Sequence, residues 1–344
     1  MATILSARNQ DIFKAVVELH IETAGPVSSQ AVTRRLPLKL SPATVRNVMA
    51  ELEANGLIHA PHTSAGRIPT DVGYQFYVNA LLHNHGLSRE EQQQLRDHYL
   101  LRGLGMDEAL QRASRVLSEL SCYTGMVMAP SFSQTIFRHI DFHALPGGRV
   151  LVILVSESGI VENRVISVEE PVHQAELDQA ANYLNATLSG LSMAEAQMRI
   201  LQQMVEEKTR VDVLVRRALR LSREALKDEL GSQVFIEGTT QMLEQPEFAD
   251  LETMKRLLRA FEQKSLLVAL LDRSRKTGGT QVCFGSDSGI AELSGCSLIT
   301  ASFTSGRGAT GTIGIIGPVR MPYAHVIPLV DCSARLISQM LKTK

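Results

Sequence analysis

The chain has 344 residues, 44% apolar, 21% charged and 5% aromatic, with a formal net charge of −1. Such a length provides for about two to three domains with substantial cores, and no run reaches the roughly 18 uninterrupted apolar residues that a membrane span needs. A balance so close to zero excludes a general nucleic-acid coat, whose affinity comes from phosphate neutralisation.

The N-terminus MATILSARNQD has neither a basic block nor a following apolar core, so retention in the cytoplasm is expected. Ser6 to Thr23 carries Ile12, Val16 and Leu19 at helical spacing. After Gly25-Pro26 the segment SSQAVTRRL begins a second, short helix, with Ser28 or Ser29 as its cap. Arg34, Arg35 and Lys39 in the turn RRLPLKLSP are well placed for phosphates, at the end of a helix that crosses a DNA backbone.

The run from Ser41 to Thr70 is the most structured part of the pattern. Ser41 is a good N-cap, Pro42 suits the first helical position, and Asn55-Gly56 supplies a left-handed stop. Val45, Val48, Met49 and Leu52 form one apolar stripe, while Ala43, Asn47, Ala50 and Ala54 lie on the opposite side. An outer face so bald lets a helix approach a groove closely: Asn47 can pair bidentately with an adenine edge, and alanine methyls can meet thymine methyls. Thr44 and Arg46 flank that strip. The same small residues also serve as good helix formers on an ordinary solvated face. Leu57-Ile58-His59 and Ile68 read as two short strands around PHTSAG, which makes a wing carrying His62, Ser64 and, beside Gly66, Arg67. An arginine at a wing tip suits the minor groove, although a plain surface arginine fits the sequence too. The candidate DNA contacts are thus Ser29, Arg34, Arg35, Lys39, Ser41, Ala43, Thr44, Arg46, Asn47, His62, Ser64 and Arg67. Residues 1–82 hold seven Lys or Arg against six Asp or Glu. A domain that neutral needs clustered cations and two half-sites to bind specifically.

Beyond Thr70, DVGYQFYVNALL reads as one more helix, with Val72, Phe76 and Tyr77 among its apolar residues. HNHGLS is a polar break in which His83 and His85 read as linker residues rather than metal ligands, and Ser88 with Glu91 makes a capping box for a helix running towards Leu101. Another amphipathic helix spans Asp107 to about Tyr123 through Leu110, Ala113, Leu117 and Leu120. Strands come next: Ile140, Phe142 and Ala144 alternate with His139, Asp141 and His143, and Pro146-Gly147-Gly148 turns into VLVILV and then ENRVISV. The His-Asp-His face has the chemistry of zinc ligands but lacks an evident fourth ligand. A solvated or partner-facing strand face is the simpler reading.

From about Val172 to Ala249 the pattern becomes helical, with a second capping box at Ser192 and Glu195. Val211, Leu214, Ala218, Leu221 and Ala225 follow a heptad seam suited to packing within the chain or across a dimer. Arg216, Arg217, Arg220 and Arg223 nearby read as a solvated face rather than a second nucleic-acid contact. A helix from about Leu251 to Ser265 leads through LLVALL to the strands QVCFG, SLITASF and TIGIIG, and a last helix runs from about Tyr323 to Leu341. Strands on both sides of the helical stretch suggest one α/β domain with an insertion. Gly306-Arg307-Gly308-Ala309-Thr310-Gly311 matches the dinucleotide fingerprint, but the loop leads into the strand TIGIIG instead of a helix, so it reads as a hairpin turn. Cys122, Cys283, Cys296 and Cys332 are few and widely spaced and fit buried reduced thiols rather than a disulfide or zinc site. No nucleophile elbow, Walker loop or H-E-x-x-H is present, so neither catalysis nor a cofactor is expected.

The blocks SSQAV, SPATVRNVMAELEANGLI, HTSAGRIPTDVGYQFYV and GTIGIIGPVRMPYAHVI closely resemble the HrcA family of heat-inducible transcription repressors, and the resemblance runs along the whole chain. It implies an α+β multidomain protein: a winged helix-turn-helix over 1–87, a GAF-like α/β domain over 88–171 and 250–344, and an inserted, mostly helical dimerisation domain over 172–249. Within that insert, Val211, Leu214, Ala218 and Leu221 are the expected dimer contacts. The resemblance further implies a homodimer on a double-stranded inverted-repeat operator, CIRCE, upstream of genes for the chaperonin and the DnaK-type chaperone, with the chaperonin helping the repressor reach its active form. The alternative is a regulator whose GAF-like domain senses a small molecule.

Overall fold

The computed structural model describes residues 5–37, 40–62, 66–82, 86–99, 105–131, 135–157, 161–168, 172–206, 233–277, 279–305 and 309–342. Its first three helices are punctuated as their sequences require. Helix α1 (Ala7–Thr23) starts where the Ser6 hydroxyl accepts the Asn9 N–H, buries Ile12, Phe13, Val16 and Val17, and stops at Ala24 in the left-handed region. Helix α2 (Ser29–Arg35) is capped by Ser28, whose hydroxyl accepts the Ala31 N–H, so Ser29 is the first helical residue and not the cap. Helix α3 (Pro42–Ala54) has Ser41 as its N-cap and buries Val45, Val48, Met49 and Leu52; Gly56, at φ +71, makes the left-handed exit.

Strands β1 (Ile58–His59) and β2 (Ile68–Pro69) pair antiparallel, with Ile58 opposite Pro69. Helix α4 (Asp71–Phe76) then packs so closely that a Cβ on Gly73 would lie 2.1 Å from the Leu57 carbonyl oxygen. It continues in a π-helical turn, Tyr77–Leu81, closed by the Leu82 N–H on the Tyr77 carbonyl. This i to i+5 turn shifts the buried face. Tyr74, Tyr77 and Leu81 point inward, whereas Val72 is 59% exposed.

Helix α5 (Arg89–Tyr99) opens with the reciprocal Ser88–Glu91 box, and α6 (Met106–Ser121) buries Leu110, Ala113, Val116 and Leu117. They lead into a five-stranded sheet of β3 (Thr124–Ser131), β7 (Val234–Glu237), β8 (Thr280–Phe284), β9 (Cys296–Thr304) and β10 (Thr310–Pro318), in the order β7-β3-β10-β9-β8. The long runs of β9 and β10 are almost wholly buried. LLVALL is helical: the helices Leu251–Glu262 and Lys264–Thr277 pack Leu257, Phe261, Leu267 and Leu271 against Met126, Met128, Leu298 and Ile316. The Ser305 N–H bonds the Ala309 carbonyl at 2.8 Å, so the fingerprint-like loop joins two neighbouring strands. Gly306, Arg307 and Gly308 lie outside the described residues. The chain ends in the long helix Tyr323–Lys342.

A separate three-stranded sheet, β4 (Phe137–Leu145), β5 (Arg149–Ser156) and β6 (Val161–Ser167), is antiparallel throughout. Its buried face, Phe137, Ile140, Phe142, Val150, Val152 and Leu154, shares one core with Leu177, Ala181, Leu184 and Leu188 of α7 (Gln174–Leu188) and Ala196 and Ile200 of α8 (Met193–Glu206). The Asn185 amide fastens helix to strand, bonding both the N–H and the carbonyl of Ile140.

Two compact units result. One comprises residues up to Met128, Val234–Ser302 and Thr312–Ile337, and the other Ala129–Gln233, Phe303–Gly311 and Ser338–Lys344. This differs from the division drawn from sequence at both ends of the insertion. Strands 137–167 belong with the inserted helices because those helices cover their apolar face. Residues 234–237 leave the insertion because they pair with β3, Gly125 opposite Glu237. Alternation announces a one-sided sheet but does not say which helix covers it.

Candidate nucleic-acid interface

The turn-and-helix geometry sets α3 with one face in the core and the other open. Ala43, Arg46, Asn47, Ala50 and Ala54 are all exposed, as their spacing predicts. The Ser41 hydroxyl accepts the Thr44 N–H at 3.1 Å and lies 2.9 Å from the Thr44 hydroxyl, so both side chains shape the helix start as well as face solvent. Arg34 and Arg46 are exposed and make no ion pair among the described residues. Arg35 donates to Glu22 at 2.7 Å with both side chains about half exposed, a pair that a phosphate can displace at little cost. Ser29 is half-buried, and its carbonyl accepts the Thr33 hydroxyl. Lys39 and Ser64 lie outside the described residues, as do Val211, Leu214, Ala218 and Leu221.

The wing is where placement departs from expectation. Arg67 sits at its foot instead of its tip: its N–H and carbonyl both pair with Val27 at 2.9 Å. Its Nε and Nη2 lie 2.9 Å from the Glu53 carboxylate in the last turn of α3, leaving the side chain 27% exposed. The neighbouring Gly66 is required there, because a Cβ would stand 2.4 Å from the Val27 carbonyl oxygen. His62 is exposed at the start of the wing loop.

Two acidic residues of α3 thus have structural work that its sequence does not announce. Glu53 holds the wing, and Glu51 accepts from the buried Asn9 amide at 3.0 Å, which ties α1 to α3. A polar Asn9 inside an apolar helical stripe was the only signal of that contact. The His139–Asp141 pair on β4 is exposed at 3.0 Å, and among the described residues no group of three or more His, Cys, Asp or Glu could hold a metal. Among them, too, no helix is long and apolar enough to cross a membrane.

Residues 4–96 match the family model of the winged helix-turn-helix transcription repressor HrcA, DNA-binding, and residues 107–327 match that of the HrcA protein C terminal domain. The heat-inducible transcription repressor HrcA of Geobacter sulfurreducens is 48% identical over 340 residues, 99% of each chain. That of Syntrophobacter fumaroxidans is 39% identical over 340 residues, 98% of each. A crystal structure of a hypothetical protein, 23% identical, shares the fold at a TM-score of 0.58 over 98% of both chains. The chain belongs to the HrcA family of heat-inducible transcription repressors, with a winged-helix DNA-binding domain at its N-terminus.

Proposed function

We propose that the protein represses heat-shock chaperone genes in the cytoplasm by binding, as a homodimer, an inverted-repeat operator of the CIRCE type, and that the chaperonin maintains its competence as a sensor of unfolded protein. The observation that carries this is the open face of α3, with Asn47 among alanines and Arg46 at its side, on a helix pinned from behind by Asn9 and Arg67. In this reading Asn47, Ala43 and Ala50 meet base edges, Ser29, Arg34, Arg35, Lys39, Ser41, Thr44 and Arg46 meet phosphates or flanking edges, and His62 and Ser64 carry the wing's contact. Arg67 supports the wing from its foot. The five-stranded body is GAF-like and non-catalytic, and the inserted unit dimerises, with Val211, Leu214, Ala218 and Leu221 as its seam. The outer face of the three-stranded sheet adds support, since Val161 and Val165 are exposed there beside the half-buried Leu151, Ile153 and Val155.

The test is fluorescence anisotropy of a labelled inverted-repeat duplex against a scrambled one, at two salt concentrations, with and without chaperonin. Preference for the repeat, strengthened by chaperonin, is expected. Equal binding to both duplexes under every condition would refute the operator, and indifference to chaperonin at every temperature would refute the feedback.

A further inference from the structure

Behind the recognition helix, the winged module is fastened to the five-stranded body by a polar and aromatic seat built around Arg320. This residue stands in the turn Pro318-Val319-Arg320-Met321-Pro322 between β10 and the last helix, with its side chain only 13% exposed. A guanidinium offers five donors in a rigid fork, and three contacts use it. Nη1 donates to the Ile21 carbonyl at 3.3 Å, Nη2 to the Gln245 side-chain oxygen at 3.2 Å, and Nε to the Glu247 carboxylate. Ile21 lies in the last turn of α1, where carbonyls lack intrahelical partners and a cation is favoured.

Beside it, Tyr74 of α4 lies against the ring of Tyr323, at 6.1 Å between centroids, and its hydroxyl meets His20 Nδ1 at 2.6 Å. Tyr323 in turn bonds the Val319 carbonyl at 2.6 Å and the Ser297 hydroxyl at 2.9 Å. Gln75 donates to Asp287. The contacts that reach the winged module engage α1 and α4, through Ile21, His20, Tyr74 and Gln75, and none involves the outer face of α3.

We propose that Arg320, outside the winged domain, is a positioning residue for operator recognition, holding the recognition helix at a fixed angle to the body so that the protein discriminates half-site spacing. The inference rests on the inverted-repeat reading above. Two modules on slack tethers tolerate changes of spacing and bear an ordering cost when both bind. Modules fixed to their bodies bind tightly only when half-sites recur at the matching helical phase. Arg320 is suited to this because losing it removes three contacts at once and leaves Glu247 without its buried partner.

The experiment uses full-length wild type, R320A and R320K. Hydrogen exchange of peptides covering residues 16–25 and 71–81 reads the attachment, and anisotropy reads affinity for a single half-site and for repeats whose spacer is lengthened stepwise by up to half a helical turn. Wild type should lose roughly 100-fold at the half-turn insertion. R320A should exchange faster in both peptides, keep its half-site affinity, bind the native repeat roughly tenfold more weakly and show a flattened spacing profile. R320K, with fewer donors, should fall between them. A wild-type spacing profile in R320A, or unchanged exchange in both peptides, overturns the proposal. If wild type itself ignores spacing while R320A still exchanges faster, the inverted-repeat reading fails and the role in spacing fails with it. Loss of half-site affinity in both variants would assign Arg320 to the folding of the module and also overturn the proposal.

Discussion

Replacing Arg67 by Ala distinguishes a wing-foot clamp from a minor-groove finger. In the structure Nε and Nη2 of Arg67 both lie 2.9 Å from the Glu53 carboxylate, and the side chains are 27% and 34% exposed. Charge-assisted hydrogen bonds contribute about 1.5–3 kcal/mol, and fully exposed pairs about 0–1 kcal/mol. At this depth the pair should be worth about 1–2 kcal/mol after solvent screening. Opening of the wing should therefore speed up about 5- to 30-fold, read as hydrogen exchange of the β1 and β2 amides in the full-length protein. E53A should do the same, and the double variant should cost about 1–2 kcal/mol less than the sum of the singles. The salt dependence of operator binding should keep its slope in R67A, because no phosphate contact has gone. A slope lowered by about 0.9 with unchanged exchange would mean that Arg67 reaches DNA and that the clamp reasoning is wrong.

Three further outcomes are expected. N47A should relax discrimination at one base pair by about 1–3 kcal/mol in anisotropy competition, leaving affinity for other sequence changes alone. R34A should weaken all duplexes alike and lower the salt slope by about one contact's share, read from titrations at several salt concentrations. Acid should loosen the seat around His20, whose pKa lies below its ordinary 6.5 because of burial first and Arg320 second, with His59 acting the same way and Glu247 opposing. A base depressed in the folded state binds fewer protons there than when unfolded, so its stabilisation is complete above about pH 6.5 and lost as pH falls through the folded value. Tyr74 reinforces this, since Nδ1 accepts its hydroxyl proton only while His20 is neutral. H20N, which cannot titrate, should flatten the acid side of a melting-temperature profile, and an unchanged profile would remove His20 from that role.

Helix α3 was legible because its signals are local. Ser41, Pro42 and Gly56 fix its ends, and a stripe of four apolar residues fixes its buried face within the same 16 residues. The capping boxes at Ser88–Glu91 and Ser192–Glu195 were legible for the same reason. What sequence could not give depends on pairing across long separations. Residues 234–237 look like part of a helical insertion until β3, over 100 residues earlier, is found beside them. Arg67 looks like a wing tip because nothing in PHTSAGR reveals that Val27 and Glu53 hold it. Arg320 lies in the block GTIGIIGPVRMPYAHVI, but nothing local in it reveals partners that span Ile21 to Glu247.

That same long-range pairing resolves the awkward neutrality of the DNA-binding module. Seven cations against six anions over residues 1–82 would give almost no attraction to phosphate if the charges were spread evenly. They are not. Glu51 and Glu53 would be unfavourable at the C-terminal end of a helix and would repel DNA, yet the exposed Glu51 is bonded to Asn9 and the half-buried Glu53 to Arg67. Glu18 pairs with Lys14, Glu22 with Arg35, and Asp71 sits in the first turn of α4, where a negative charge is favoured. Arg34 and Arg46 remain on the open side with no such partner among the described residues. Five of the six anions thus serve the module's own contacts and helix ends, with the exposed Asp11 the exception, while Arg34 and Arg46 leave cations on its surface. A module built this way should show a shallow salt slope per half-site and should gain its affinity from two correctly spaced contacts, not from charge. A steep slope on a single half-site would contradict that account.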